Sequence, residues 1–239
     1  MAKDLADLKV CIFDVFGTVV DWRGSLIEDL PKLGKQYGLE TDWTTFADDW
    51  RGLYQPQMGR VRRGELPWTR LDDLHKESFE MLLAKRGLKH PGEEAAWAFA
   101  HLWHKLRPWP DSVEGVGLLK KKFVVATLSN GNVALLINMA KNAGIPWDHC
   151  FSGETYRHYK PDPESYLGVV DTMYVKPHQV MLVAAHNGDL AAAQKCGLST
   201  GFVLRPTEHG PKQTRDLKVE GDWDVVGNSI AEVARKLGC

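Results

Sequence analysis

Leu8-Lys9-Val10-Cys11-Ile12-Phe13-Asp14-Val15-Phe16-Gly17-Thr18 is an apolar run that closes on an acid and then a glycine. A run of this length bounded by a turn signal predicts a buried strand that delivers Asp14 to its C-terminal end. In open α/β sheets that edge is where ligands bind. Asp14 is therefore the first candidate for chemistry, and the rest of the chain supplies its surroundings.

From about residue 22 to 107 no strand pattern is found. Residues 25–38, 44–63, 68–86 and 93–106 read as helices punctuated by Gly38, Pro67, Gly87 and Pro91. This Trp- and Tyr-rich block interrupts an α/β pattern that resumes after Pro108-Trp109-Pro110, so it reads as an inserted cap. Beyond it, 123–128, 180–183 and 200–204 are strand-like, with helical stretches around 133–143, 164–173 and 190–196 between them. Such alternation implies a parallel sheet covered by helices.

Composition narrows the function. The 239 residues are 44% hydrophobic and 26% charged, ordinary globular values with no bias toward disorder or a membrane span. A formal net charge of -1 provides no basic field for nucleic acid, so a small substrate is expected and no nucleic-acid or membrane partner. Cys11, Cys150, Cys196 and Cys239 form no C-x-x-C pair or zinc spacing, which fits reduced thiols in a cytoplasm. The charges in Met1-Ala2-Lys3-Asp4-Leu5-Ala6-Asp7 come too early for a signal peptide.

Four segments at or near strand ends carry polar chemistry: Asp14-Val15-Phe16-Gly17-Thr18, Ser129-Asn130-Gly131, Lys160-Pro161-Asp162, and Ala184-Ala185-His186-Asn187-Gly188-Asp189. Singly, each reads as a cap, a turn or a surface bend. All four in this order are hard to obtain by accident.

The set resembles the haloacid dehalogenase superfamily, and more narrowly its L-2-haloacid dehalogenases, over essentially the whole chain. The resemblance implies an α/β fold, a Rossmann-like parallel sheet core over residues 1–21 and 107–239 with an inserted helical cap domain over 22–106. It implies that Asp14 is the nucleophile, that Thr18 and Ser129 hold it or the substrate carboxylate, and that Lys160 stands beside it. Tyr166 completes that hydrogen-bonded corner. In the cap, Trp50-Arg51 resembles a pair whose arginine faces the departing halogen, and Asn130 takes the place of a second halide contact. The implied partners are a small 2-haloalkanoate, water and halide, and the implied assembly is a homodimer.

Most of the superfamily transfers phosphoryl groups, so a Mg²⁺-dependent phosphatase is the competing reading. A phosphatase has a second Asp two residues after the nucleophile, because an alkoxide leaving group needs a proton. Here that position is Phe16, and a halide leaves without a proton. A Mg²⁺ site also needs carboxylate oxygens, and its first Asp in the fourth motif falls on Ala185. No metal and no cofactor are expected. A carboxylate attacking a carboxylate substrate meets repulsion of roughly 4 kcal/mol at 4 Å for an effective dielectric of about 20. Lys160 and Arg51 are the cations that offset it, with the backbone N–H groups of Val15 and Phe16 holding the substrate carboxylate. Phe16, Tyr54, Leu66 or Trp68 offers an apolar wall.

The fourth motif departs from the Ser-Ser-Asn-x-x-Asp of well-known L-2-haloacid dehalogenases. In the family, the Asp matching Asp189 helps to position or activate the hydrolytic water. A subgroup has His at the place of His186, partnered by an acid seven residues after the nucleophile, here Asp21. A carboxylate that fixes the tautomer of a histidine makes chemical sense for a water-activating base. On the other reading, His186 bonds to backbone and Asp21 caps the first helix of the insertion.

Overall fold

A computed structural model describes residues 5–239. The elements in chain order begin with β1 (Val10–Phe13) and β2 (Val20–Asp21). Helices α1 (Trp22–Gln36), α2 (Trp43–Arg62), α3 (Leu71–Lys85) and α4 (Glu93–Ala100) come next, then a 3₁₀ turn at His101–Lys105 and β3 (Arg107–Pro108). The chain goes on through α5 (Ser112–Lys120), β4 (Val124–Ser129), α6 (Val133–Ala143), β5 (His149–Ser152), α7 (Gly153–Tyr156) and α8 (Pro163–Thr172). After a 3₁₀ turn at Pro177–Gln179 it closes with β6 (Val180–Ala184), α9 (Asn187–Lys195), β7 (Ser199–Val203), β8 (Val225–Gly227) and α10 (Ile230–Lys236).

The main sheet is six-stranded and parallel, in the order β5-β4-β1-β6-β7-β8. Its strands alternate between two apolar layers. Cys11 and Phe13 join Met181 and Val183 on the face covered by α5, α6 and α10, whereas Val10 and Ile12 join Val180 and Leu182 on the face covered by α8 and α9. This is the period-two pattern of a sheet buried on both sides. The strand order turns to opposite sides of β1 with β4 and β6, so a crevice opens at its C-terminal end, where Asp14 emerges.

The helical insertion leaves and rejoins the core through adjacent antiparallel strands, β2 and β3, with Val20 opposite Pro108 and Asp21 opposite Arg107. Its interior is aromatic: Phe46, Trp50, Phe79, Phe99 and Trp103 are fully buried. Asp42 begins α2 by accepting from the N–H groups of Thr44 and Thr45, an ordinary N-cap.

The seven expected helices are found within a few residues of their expected bounds, with one change of kind, whereas α5, α7 and α10 were not expected. The stretch expected as one helix over 93–106 changes to a 3₁₀ turn at His101. The edge strands β5 and β8 had no counterpart among the expected elements.

Candidate active site

Asp14 continues the ladder of β1 by one bond, its N–H donating to the Val183 carbonyl at 3.1 Å, and its side chain then turns into the crevice. Oδ1 accepts from Lys160 Nζ at 2.9 Å. Oδ2 accepts from Thr18 Oγ1 at 2.7 Å and bonds with His186 Nδ1 at 3.0 Å. Thr18 Oγ1 in turn accepts from the Ala185 N–H at 2.8 Å, tying the first motif to the fourth. Burial would raise the Asp14 carboxyl, but the charge of Lys160 and the bond and charge of His186 hold it far below the usual carboxylate range. The nucleophile candidate is thus ionised and held on both oxygens.

Lys160 is buried between two carboxylates, reaching Asp189 Oδ2 at 2.5 Å as well as Asp14. Burial works against its charge, yet the two acids keep it above the usual lysine range. Tyr166 donates to Asp189 Oδ1 at 2.5 Å, so Tyr166 anchors Asp189 and not the nucleophile directly. Asn130 Oδ1 accepts from the Lys160 N–H at 2.7 Å, which fixes the lysine's backbone from the end of β4. Ser129 is fully buried, and its hydroxyl accepts from the Gly131 N–H, shaping the turn after β4. Val15 is packed in the core, with its carbonyl accepting from Val19 and Val20.

A pocket of about 550 Å³ opens above Asp14, lined among others by Phe16, Arg51, Tyr54, Asn130, Lys160 and His186. Helix α2 brings Arg51 into it. The guanidinium carbon of Arg51 lies 4.1 Å from the Tyr54 ring centre, 5.4 Å from Trp22 and 6.0 Å from Phe16. Its Nη1 is buried with no hydrogen-bond partner among the described residues. Of the expected apolar wall, Phe16 and Tyr54 line the pocket; Trp68 instead packs on Tyr159 with ring centres 4.7 Å apart.

The Asp21–His186 pair is not formed. Asp21 Oδ1 accepts from the Gly24 N–H at 2.8 Å and caps α1. Its short side chain is committed to the start of that helix and is not a partner of the imidazole. The partner of His186 is Glu208, whose Oε2 lies 2.9 Å from Nε2. Glu208 is 1% exposed and comes from the irregular segment between β7 and β8. It accepts from Trp22 Nε1 at 3.1 Å, and the segment is pinned where Arg205 Nε donates to the Thr18 carbonyl at 2.9 Å. Burial opposes the charge of His186; Glu208 and then Asp14 outweigh it and push the imidazole well above its ordinary range. Burial would likewise raise Glu208, and the imidazolium brings it down to about 2. The one sequence signal for Glu208 is indirect: Gly17, at φ +87°, leaves the space its carboxylate fills.

Elsewhere, Asp72, His101 and His104 are a group of possible metal ligands among the described residues, drawn from α3 and from the 3₁₀ turn that follows α4. It contains neither Asp14 nor Asp189.

A carboxylate at the end of a central strand, a lysine bridging it to a second acid and a block of helices over the pocket accord with a haloacid dehalogenase-like hydrolase, and the model of that family matches residues 8–197. The chain belongs to it. It is 31% identical to (S)-2-haloacid dehalogenase 1 of Pseudomonas sp. (strain CBS-3) over 211 residues, covering 83% of this chain and 85% of that protein. A defluorinating L-2-haloacid dehalogenase of known crystal structure is 41% identical with a TM-score of 0.95, each chain being covered in full. A second L-2-haloacid dehalogenase is 44% identical with a TM-score of 0.93, covering 97% of this chain and 99% of that one.

Proposed function

We propose that this enzyme removes halide from short 2-haloalkanoic acids by hydrolysis, through an ester on Asp14. The observation that carries the reading is the pairing of an ionised, doubly held Asp14 with an Arg51 whose Nη1 is buried and unpartnered in an aromatic box at the same pocket.

The chemistry follows from these positions. An Asp14 oxygen attacks C2 of the substrate from the side opposite the halogen, the C–O bond forms as the C–halogen bond breaks, and the electron pair leaves with the halide. Arg51 is the donor for the departing anion. Its rings exclude water, which strengthens the attraction of guanidinium for halide. Lys160 offsets the repulsion between the two carboxylates. Water then adds to the Asp14 carbonyl carbon, restoring the carboxylate and releasing a 2-hydroxy acid of inverted configuration.

The Mg²⁺-dependent phosphatase is disfavoured by what surrounds Asp14. Phe16 has no proton to give a leaving alkoxide, and Ala185 presents a methyl where a metal-binding carboxylate would be required. Asp189 is already engaged by Lys160 and Tyr166. These residues do not fit a bound Mg²⁺.

The test is halide release from L- and D-2-chloropropionate and from haloacetates with EDTA present, followed by a single turnover in ¹⁸O-water. Release with label in the Asp14 carboxylate is expected. Phosphate release from a generic ester that depends on Mg²⁺, without halide release, would overturn the reading.

A further inference from the structure

An imidazole with a carboxylate on each nitrogen cannot begin as a base. His186 Nδ1 lies 3.0 Å from Asp14 Oδ2 and Nε2 lies 2.9 Å from Glu208 Oε2, so the ring is held as imidazolium between two anions. In that state it has no lone pair with which to take a proton from water. Formation of the ester alters one side of this arrangement. Asp14 loses its charge when its oxygen bonds to C2, while Glu208 keeps its own.

Resting on the dehalogenase reading, we propose that Glu208 is the positioning residue for His186 and that esterification of Asp14 switches His186 from stored acid to base. With its Asp14 partner neutralised, the imidazolium gives up its Nδ1 proton to solvent at the stage where the halide departs. The neutral ring remains oriented by its Nε2–H bond to Glu208, and its Nδ1 lone pair faces the place where Asp14 now carries the ester. A water there loses one proton to Nδ1 as its oxygen bonds to the Asp14 carbonyl carbon, and the collapse breaks the bond to the product oxygen, which takes the water's second proton and leaves Asp14 as a carboxylate. Protons balance: one leaves with the halide in the first half, and the one taken from water restores the imidazolium. The sum is haloacid plus water giving hydroxy acid, halide and one proton.

The surroundings suit a switch with one variable charge. Near His186 stand Asp14 with Lys160 and Asp189 from the core, Arg51 from α2, and Glu208 with His209 from the segment after β7. Lys160 is held between its two acids, and Arg51 acts on Glu208. Glu208 is fixed by the Trp22 indole and by the absence of a side chain at Gly17. Of these groups, only Asp14 changes its covalent state during the reaction.

The experiment has a kinetic and a spectroscopic arm. Glu208→Gln with excess L-2-chloropropionate is expected to give a burst of about one halide per active site and then turnover slowed by about 10²-fold, with the adduct on Asp14 found by mass spectrometry. Glu208→Asp is expected to recover part of the loss. In the native enzyme a pH indicator is expected to record one proton released with the burst halide, before the ester is hydrolysed. Unimpaired steady turnover in Glu208→Gln, or an ester trapped by Asp21→Asn instead, overturns the proposal. The second arm needs no substrate. NMR of ¹⁵N-labelled histidine is expected to find His186 doubly protonated at pH 8 in the native enzyme and titrating at lower pH in both Asp14→Asn and Glu208→Gln. An unchanged titration in both variants overturns the proposal. Absence of halide release from every haloacid would bring down the functional reading, while this arm still decides the pairing.

Discussion

A methyl group placed on Gly17 would overlap the carboxylate of Glu208. The turn that follows the nucleophile and the distant segment that reaches His186 are therefore fitted to each other. Gly17→Ala is expected to cost about 1–2 kcal/mol from the positive φ alone and, by displacing Glu208, to slow ester hydrolysis more than halide release. Denaturant midpoints and burst kinetics read the two effects separately. Hydrolysis at the native rate would show that the close fit has no bearing on the second step.

Arg51 presents a rigid fork of donors amid Tyr54, Trp22 and Phe16, which a lysine ammonium cannot reproduce. Arg51→Lys is expected to keep the fold and lose about 10²-fold in the rate of halide formation. The deficit should be larger for a chloro than for a bromo acid, because the more basic leaving group needs more stabilisation. Equal deficits for the two halogens would remove Arg51 from the departing anion.

Asp21 is a half-buried helix cap whose Oδ1 accepts from the Gly24 N–H, and its variants should affect stability alone. Asp21→Ala is expected to lose about 1 kcal/mol with turnover intact, and Asp21→Ser to keep both by capping α1 with its hydroxyl. A trapped ester in Asp21→Ser would return Asp21 to the chemistry.

His75 offers a pH test. Both ring nitrogens are buried without partners among the described residues, the ring stacks on Trp103 at 4.3 Å, and burial brings its titration down to about 3. Below pH 6.5 the unfolded chain takes up a proton at this position that the folded one refuses, so stability falls as pH falls. The contribution is about 2 kcal/mol between pH 6.5 and pH 5 at 1.36 kcal/mol per unit. His75→Phe should remove this slope and raise the denaturant midpoint, since two unsatisfied buried nitrogens disappear. An unchanged slope would mean that His75 is protonated in the fold.

The parts of the molecule legible in the sequence share one property: they lie where local pattern and function coincide. The run before Asp14 is apolar because its strand is central and covered on both faces, so the strand and its catalytic end could be read together. Lys160 and Tyr166 stand six positions apart, just before and within α8, but the structure joins both to Asp189 of α9 instead of setting Tyr166 against the nucleophile candidate. The edge strands β5 and β8 were not legible. His149-Cys150-Phe151-Ser152 mixes polar and apolar residues, and Val225–Gly227 is too short to set a period. Glu208 was harder still. It stands 194 positions from Asp14 in a segment with no regular element, and a glutamate between Thr207 and His209 carries no local sign of its burial. The acid seven residues after Asp14 was the nearer choice by sequence, but its side chain had already been claimed by α1.

The adjacency of β2 and β3 bears on how such an enzyme changes over time. Because Val20 faces Pro108 and Asp21 faces Arg107, the block between them begins and ends at almost the same point in space. A helical segment of different length or sequence, spliced in at that junction, would leave the strand ends that carry Asp14, Lys160 and His186 in place, but it would have to replace the Trp22 indole that holds Glu208 against His186. Arg51 and Tyr54, which line the pocket over Asp14, belong to the exchangeable block; Asp14, Lys160 and His186 belong to the fixed one. Much of the pocket wall and the Asp14–Lys160–His186 centre therefore occupy separately replaceable stretches of one gene, and recombination at that junction would change the first and keep the second so long as the incoming segment holds Glu208 as Trp22 does.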